Sequence, residues 1–226
     1  MKKYRNVALL PMKAHSARVV GKNFLSFCGK PLFRHILDTL LSVSKIDLIV
    51  VNTDARKILA DHGLADEDRI LIRDRKPEIC GDFVSMNLVL ADDVAAIDSE
   101  AYIMTHTTNP LLSTKTIADA LAAYHEGVSQ HKYDSLFTVN AFQTRFYRAD
   151  GSAVNHDPKN LVRTQDLEAW FEENSNLYIF NSTSFKSTNA RIGTKPQMFV
   201  TPRIESIDID DQEGWDFAER LGKNVA

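Results

Sequence analysis

Short apolar runs alternate with segments of helical period along the first half of the chain, and this alternation narrows the choice of fold more than any other pattern. Val7 to Leu10 predicts a short buried strand, and Leu32 to Ser44 predicts a helix with one apolar side. A second strand over Ile46 to Val51 precedes a second helix, which ends near His62. Strand, helix, strand and helix in succession favour a Rossmann-like α/β domain, with helices on both faces of a mostly parallel sheet.

The predicted alternation continues to about residue 140, and further strands and a last helix follow later in the chain. Parallel strands gather their ligand crevice at their carboxyl ends, so the loops that follow the strands are the expected places for a site. The further predicted elements are strands over Ile70 to Ile72, Ala101 to Thr105, Ser135 to Asn140, Leu177 to Phe180 and Ile204 to Ile209, and helices that begin at Asp82 or Ser85, at Ser113 or Thr114, and at Glu213.

A loop rich in cations follows the first predicted strand. Three cations within ten residues can surround an oxyanion with charge-assisted hydrogen bonds, whereas an ordinary solvated loop is the alternative that the residues leave open. The chain has neither the G-x-G-x-x-G spacing of dinucleotide sites nor Walker-type spacing, which disfavours a dehydrogenase or a P-loop kinase. The polar and charged residues of this loop are Lys13, Ser16, Arg18, Lys22 and Asn23.

Two more polar loops follow predicted strands. Arg75 and its basic neighbours come just after Ile70 to Ile72, where they are either exposed charges or a second contact to an anion or a base. His106, Thr107 and Thr108 follow Ala101 to Thr105, where a substrate would be oriented, although a lone histidine is more often structural than catalytic.

Two carboxylates stand two positions apart in the late predicted strand, within E-S-I-D-I-D-D. Alternation along a strand would place Ile207 and Ile209 on one face and Asp208 and Asp210 on the other. Such like charges repel unless a cation lies between them, and a hard divalent ion completed by water and substrate phosphate would meet that need. The alternative is that Asp210 or Asp211 caps the last helix.

Composition indicates an ordinary globular protein of 226 residues, and we expect a single domain over residues 1–226. Its net charge of −3 gives no general attraction to nucleic acid or to an anionic membrane, and no window is apolar enough to span a bilayer. Cys28 and Cys80 lack metal-site or redox spacing, which predicts free buried thiols in a cytoplasmic protein.

The alternation fails between about Ala141 and Asn174. Aromatic residues are scattered there among glycine, proline and polar residues, without a helical period. These rings need burial that their own pattern does not supply, so the segment is either an insertion over the active site or an arm that packs on another subunit. We prefer the arm, inserted over residues 141–174, and therefore expect a homodimer.

Six motifs, in order and at suitable intervals, resemble the acylneuraminate (CMP-sialic acid) cytidylyltransferase family and its CMP-Kdo relatives. The motifs are S-A-R-V-V-G-K-N, G-K-P-L, R-K-P-E-I-C-G-D-F-V-S, T-T-N-P-L, Q-D-L with E-E-N-S-N-L-Y-I-F, and S-I-D-I-D. The resemblance covers nearly the whole chain and implies a fold of the nucleotide-diphospho-sugar transferase type. It also implies Mg²⁺-dependent transfer of CMP from CTP to the anomeric hydroxyl of an acidic 3-deoxy ulosonic sugar, with release of pyrophosphate, for cell-surface polysaccharide.

The resemblance also implies roles for single residues. It places the nucleotide at Leu10, Lys13, Ser16, Arg18, Lys22, Asn23, Arg75 and Ser85, the sugar at His106, Thr107, Thr108, Gln165 and Asp166, and the metal at Asp208 and Asp210, with Lys13, Arg18, Lys22 and the two aspartates as the catalytic set.

Two departures from the family pattern leave the acceptor open. Ala17 stands where the sialate enzymes have a phosphate-contacting lysine, and His106 where they have a glutamine. The remaining alternatives are a cytidylyltransferase for a phosphonate or another surface sugar, a uridylyltransferase or other nucleotidyltransferase, and a catalytically silent nucleotide-binding protein.

Overall fold

Nine strands and six α-helices make up the part of the chain that the computed structural model describes, residues 2–16 and 18–223. Ala17, in the predicted phosphate loop, lies outside the described residues. The strands are β1 (Tyr4–Leu9), β2 (Ser26–Phe27), β3 (Lys30–Pro31), β4 (Leu48–Thr53), β5 (Ile70–Asp74), β6 (Ser99–Met104), β7 (Ser135–Phe142), β8 (Trp170–Phe180) and β9 (Pro196–Val200). The helices are α1 (Leu32–Ser42), α2 (Arg56–Asp61), α3 (Met86–Ala96), α4 (Thr114–Ser129), α5 (Ser182–Thr188) and α6 (Gln212–Gly222).

Seven of the strands form one central sheet in the order β5-β4-β1-β6-β8-β7-β9. β8 is antiparallel to both of its neighbours, and the other pairings are parallel. β2 and β3 form a separate two-stranded ribbon. The prediction of a mostly parallel sheet is therefore confirmed.

The first strand explains why the sheet is covered on both sides. Successive side chains of a strand point to opposite faces. Val7 and Leu9 pack in a cluster with residues of α3 and α5, whereas Ala8 and Leu10 pack in a second cluster with residues of α1, α2 and α4. All four side chains are fully buried, as an uninterrupted apolar run predicts for a strand between two helical layers.

A third, smaller apolar cluster joins the two ends of the chain. Val19, Phe27 and Leu32 from the segment after β1 pack against Ile209 and Trp215, at the start of α6. The approach is close enough that a Cβ on residue Gly222 of α6 would lie 3.0 Å from the sulfur of Cys28. This packing brings the aspartates around Ile209 to the loop that carries the predicted phosphate cations.

The predicted strand over Ile204 to Ile209 is wrong. The chain forms a 3₁₀ turn over Arg203–Ser206 and then continues without a ladder partner. The reason lies in its hydrogen bonds, because the backbone N–H of Ile209 donates to the carbonyl of Thr108 at 2.9 Å rather than to a neighbouring strand. Asp211, one of the two predicted caps, caps α6 by accepting from the Gly214 N–H at 2.8 Å.

Several boundaries differ from the prediction because non-local pairing extends the strands. β4 runs on to Thr53 and β8 begins at Trp170, so the irregular part of the predicted arm shrinks to residues 143–169. The sequence did not predict α5 or β9, and β9 begins at Pro196. Ser85 and Ser113 are the caps of α3 and α4.

Two expectations from composition have different outcomes. Cys28 and Cys80 are free thiols, as predicted, but each is half-buried rather than buried. Among the described residues, none of the helices has the length and apolarity needed to cross a membrane.

Candidate active site

The carboxyl ends of β1, β4 and β6 meet in the middle of the sheet, and polar loops leave from each of them. The loop after β1 contains the predicted phosphate cations, and the loop after β6 contains His106 and the two threonines. The segment between the 3₁₀ turn and α6 lies against both loops through the Ile209 bond to Thr108. The structure therefore gathers most of the predicted site at one edge.

Lys22 joins the cation loop to the aspartate segment. Its ammonium donates to the carbonyl of Ile209 at 2.6 Å and lies 4.0 Å from the Asp210 carboxylate. Burial lowers the pKa of Lys22, while the charges of Asp208 and Asp210 act in the opposite direction. Gly21 precedes it with φ of +65°, a left-handed conformation that glycine adopts without strain. Lys22 is thus a largely enclosed cation at the centre of the site.

The other two predicted cations have carboxylate partners. Arg18 donates to Asp210 at 3.1 Å and remains mostly exposed. Lys13 donates to Asp82 at 2.6 Å, which holds its ammonium beside the loop before α3. Both charges nevertheless act on Lys22 and contribute to lowering the pKa of its ammonium. The three cations therefore form one electrostatic group.

Asn23 braces the cation loop from within. Its amide nitrogen donates to the carbonyl of Lys13 at 2.9 Å, and its amide oxygen accepts from the hydroxyl of Thr107 at 2.7 Å. Both Asn23 and Thr107 are buried. These bonds connect the loop after β1 to the loop after β6 and hold the two in register.

Arg75 ties the end of β4 to the loop after β1. Its guanidinium donates to the side-chain and backbone oxygens of Asn52, at 3.0 and 2.8 Å, and to the carbonyl of Met12 at 3.3 Å. Burial lowers the pKa of Arg75. A cavity of about 200 Å³ lies beside it, lined by Pro11, Lys13, Arg75, Ile79, Gly81, Asp82, Val84, Met86 and Val89.

Asp208 and Asp210 flank the buried Ile209 and stay accessible themselves. Surrounding protein raises the pKa of Asp208, and the like charge of Asp210 adds to the rise, while a hydrogen bond with Thr108 opposes it. Among the described residues, no cluster of three or more His, Cys, Asp or Glu side chains could hold a metal. Two carboxylates completed by water and phosphate oxygens nevertheless suit Mg²⁺, which seldom uses a cage made wholly of protein.

His106 stands half-buried beside these groups. Burial lowers the pKa of its imidazole to about 4, and the positive charges of Arg191 and Lys22 act in the same direction. At neutral pH the ring is therefore uncharged, with one nitrogen to donate and one to accept a hydrogen bond.

The remaining predicted residues have other places. Leu10 lies in the core, Ser16 is half-buried in the cation loop, and the Ser85 hydroxyl accepts from the Asn87 N–H at 3.3 Å as the cap of α3. Gln165 and Asp166 lie in the irregular segment 143–169. Asp166 pairs with Arg163 at 2.7 Å, and the Gln165 carbonyl accepts from Gln143 at 3.2 Å. These contacts stay at the segment and its base, so the structure does not bring Gln165 and Asp166 to the crevice within one chain.

Sequence reasoning missed Arg191. Its guanidinium lies over the ring of Tyr178, 3.8 Å from the centroid, and 3.5 Å from the carboxylate of Glu173. Arg191 follows α5, whose polar sequence S-T-S-F-K-S-T gives no apolar periodicity. The signal that could have found this helix is the capping box of Asn181 and Ser184 at its start.

The family comparison agrees with this geometry. Residues 7–224 match the sequence profile of the family described as cytidylyltransferase. The chain belongs to the cytidylyltransferase family. Campylobacter jejuni pseudaminic acid cytidylyltransferase is 25% identical over 230 residues, with 97% of each chain covered. The CMP-N,N'-diacetyllegionaminic acid synthase of Legionella pneumophila is 27% identical over 237 residues, with 96% of each covered.

The solved structure of another protein has the same fold as this cytidylyltransferase. CMP:2-keto-3-deoxy-manno-octonic acid synthetase, whose structure was determined with CTP, superposes with a TM-score of 0.64 at 13% identity. The match covers 98% of this chain and 100% of that chain. The expected nucleotide-sugar transferase fold is therefore confirmed, while the likeness at this identity concerns the fold alone.

Proposed function

We propose that this cytidylyltransferase transfers CMP from CTP to the anomeric hydroxyl of an acidic 3-deoxy ulosonic sugar. The observation that carries the proposal is the meeting of Arg18 and Lys22 with Asp208 and Asp210 at the carboxyl edge of the sheet. Cations for a triphosphate and a carboxylate pair for a metal are the equipment that nucleotidyl transfer needs. The acidic sugars in the names of the pseudaminic and legionaminic relatives support the choice of acceptor.

The reaction is a displacement at the α-phosphorus. The anomeric oxygen forms the new bond to phosphorus, the bond to the oxygen that bridges the α- and β-phosphates breaks, and pyrophosphate leaves. The hydroxyl proton passes to water. Lys22, Arg18 and Lys13 hold the triphosphate, and their charges offset the negative charge that builds up on its oxygens.

Mg²⁺ fits the two aspartates. Asp208 and Asp210 would hold it together with water and phosphate oxygens, and it would supply charge neutralisation at the phosphates. In the free enzyme Arg18 and Lys22 lie next to Asp210. This proximity of the cations to the aspartates supports a shared role in holding the phosphates and the metal.

The cavity beside Arg75 accommodates the cytosine base. It lies next to Lys13 and Pro11, so a base there would place the triphosphate along the cation loop. Met86 and Val89 offer apolar contact to the faces of the ring, and Arg75 brings its guanidinium to the polar edge. Ser85 and Asn23 contribute by fixing α3 and the loop. The sugar then lies at the loop after β6, with the neutral His106 as a partner for its hydroxyls.

We also propose that the enzyme works as a homodimer through the arm. Large apolar side chains of this region are exposed, with Leu161 at 65%, Tyr147 at 55% and Phe171 at 45%. A second subunit would cover them, and it would give Gln165 and Asp166 a route to the neighbouring crevice. The two free thiols fit a reducing cytoplasm.

The test is the release of pyrophosphate with CTP and Mg²⁺ across a panel of N-acetylneuraminic, legionaminic and pseudaminic acids and Kdo. Release with one of them, and much less with UTP in place of CTP, is the expected result and names the sugar. Silence across the panel, with CTP still bound in calorimetry, would overturn the choice of acceptor. Silence without CTP binding would overturn the proposal as a whole.

A further inference from the structure

Arg191 is a cation near the crevice for which the triphosphate chemistry has no use. We propose that Arg191 binds the carboxylate of the acidic sugar and thereby fixes the hydroxyl that attacks CTP. The inference rests on the proposed function and adds to it the group that recognises the acid. It follows from the packing that holds the guanidinium, from the incomplete pairing of its charge, and from the cleft that it lines.

The guanidinium is held in place before any substrate arrives. It stacks on the Tyr178 ring at 3.8 Å, and one terminal nitrogen lies 3.9 Å from the sulfur of Met104. Its side chain is only 21% exposed. Tyr178 and Met104 pair across β8 and β6 at the edge where the crevice opens. A rigid, partly desolvated guanidinium binds a carboxylate more strongly than a mobile surface arginine does.

The charge of Arg191 is incompletely satisfied. Among the described residues its ion pair is with Glu173, at 3.5 Å, which is longer than the paired short hydrogen bonds that a guanidinium makes with a well-placed carboxylate. Glu173 is instead engaged with the hydroxyl of Tyr178, which donates to it. The planar fork of Arg191 therefore still has the capacity to bind a second carboxylate in two-point fashion.

The surroundings of Arg191 suit an anion of sugar size. Its side chain lines a cleft of about 350 Å³ together with Ser85, Met86 and Asn87 at the start of α3. The N-terminal end of a helix carries partial positive charge, which adds to the attraction of the guanidinium. The volume lies in the range of small-molecule sites.

Arg191 also acts electrostatically on His106, in the loop after β6. Its charge and that of Lys22 both depress the pKa of His106, so one imidazole lies within electrostatic range of the acceptor-side arginine and of the phosphate loop. In a 3-deoxy ulosonic acid the carboxylate and the reacting hydroxyl are attached to the same carbon. A residue that binds the carboxylate therefore also sets the direction of the hydroxyl, and a neutral sugar would lack this hold.

The competing explanation is that Arg191 only links β8 to the loop before β9. The experiment compares R191Q and R191K with wild type, at saturating CTP, using the sugar acid and its neutral carboxamide as substrates. The expected result is that R191Q raises the KM for the acid about 10- to 100-fold, with the KM for CTP unchanged and the preference for acid over carboxamide lost. R191K, which keeps the charge without the fork, should fall between.

R203Q is the matched control, because Arg203 also stacks on an aromatic ring, that of Phe142 at 4.6 Å, but has no place in the proposed site. It should keep the preference for the acid over the carboxamide.

An R191Q enzyme that keeps this preference overturns the inference while the proposed function stands. If R191Q does not fold, R191K decides: an acid preference equal to that of wild type overturns the inference. If wild type turns over none of the sugars, the proposed function fails and the inference fails with it.

Discussion

The ammonium of Lys22 donates a hydrogen bond of 2.6 Å to the backbone carbonyl of Ile209, a residue 187 positions away. Ile209 also donates its own N–H to Thr108 and buries its side chain completely. One residue thus connects the cation loop, the loop after β6 and the two carboxylates on either side of it. The candidate active site depends on this connection, since neither the cations nor the aspartates belong to the sheet.

Replacing Lys22 with methionine should damage both stability and activity. The substitution leaves the Ile209 carbonyl without its donor and the two aspartates without their central cation. We expect the free energy of unfolding to fall by about 1–3 kcal/mol and turnover to fall by about 100-fold or more. Urea unfolding and pyrophosphate release at saturating CTP would measure these, and unchanged turnover would contradict the role of Lys22.

Asp208→Asn should remove activity while leaving the fold intact, because it weakens the proposed metal site. We expect turnover in saturating CTP and Mg²⁺ to fall by about 100-fold. Asp211→Asn is the matched control, since the same chemical change there retains a good helix cap for α6. It should keep turnover close to wild type. Unchanged turnover of D208N would exclude the metal assignment.

His106 should make the fold less stable in acid. Its pKa is about 4 in the folded protein against an ordinary value of 6.5, so the unfolded chain binds the proton first as the pH falls. Stability is therefore complete above about pH 6.5 and declines toward pH 4, by up to roughly 3 kcal/mol. H106Q lacks this loss, so its stability relative to wild type should rise as the pH drops.

A second titrating group, Asp93, makes it necessary to compare wild type with H106Q at every pH. Burial raises the pKa of its carboxyl to about 6, from 3.8, so protonation in that interval stabilises the folded state as the pH falls. This effect opposes that of His106, and measuring wild type and H106Q at each pH removes it. Chemical denaturation at pH 7, 6, 5 and 4.5 would suffice. Parallel curves for the two proteins would show that His106 is not a buried neutral base.

Gly193→Ala should disturb the turn that follows Arg191. A Cβ at position 193 would lie 2.7 Å from the carboxyl carbon of Asp134, which accepts the backbone N–H groups of Thr194 and Lys195 at 2.8 and 3.0 Å. We expect a loss of about 1–3 kcal/mol in stability. In a D134A background the further cost of G193A should shrink, and an equal cost in both backgrounds would contradict the clash.

A charge on the arm should separate the proposed dimer. Wild type is expected to be a dimer in light scattering, and Phe171→Asp should shift it to a monomer, because the charge would be buried at the interface. Phe217→Asp is the matched control, since Phe217 is 55% exposed on α6 and does not belong to the arm. It should remain a dimer. A monomeric wild-type protein at assay concentration would contradict the role of the arm.

The local pattern of apolar and polar residues correctly predicted the features of the fold that depend on side-chain burial. The uninterrupted apolar run at Val7 to Leu10 predicted a strand between two layers of helices, and the alternation around Ile209 correctly placed one buried residue between two accessible carboxylates. The same alternation wrongly suggested a strand, because alternation indicates which side chains are buried and not which backbone carbonyl accepts a hydrogen bond. The N–H of Ile209 donates to the carbonyl of Thr108, far away in sequence.

Arg191 shows more clearly what local sequence pattern cannot predict. Its role depends on Tyr178 beneath it and on His106 nearby, contacts that only the tertiary fold creates. The arm shows the same limit, because Trp170 to Glu173, near its end, are extended by pairing with β7 and carry no strand signal of their own.

The small apolar cluster that joins Val19 and Phe27 to Ile209 and Trp215 affects when the site can form during synthesis on the ribosome. A ribosome that adds about 5–20 residues per second takes roughly 10–40 s to travel from Lys22 to Ile209. During that time the growing chain carries its cations without the aspartates that face them. We therefore expect a nascent chain stalled before residue 200 to have no nucleotide site, so that each new molecule becomes able to bind CTP only after Ile209 has been added.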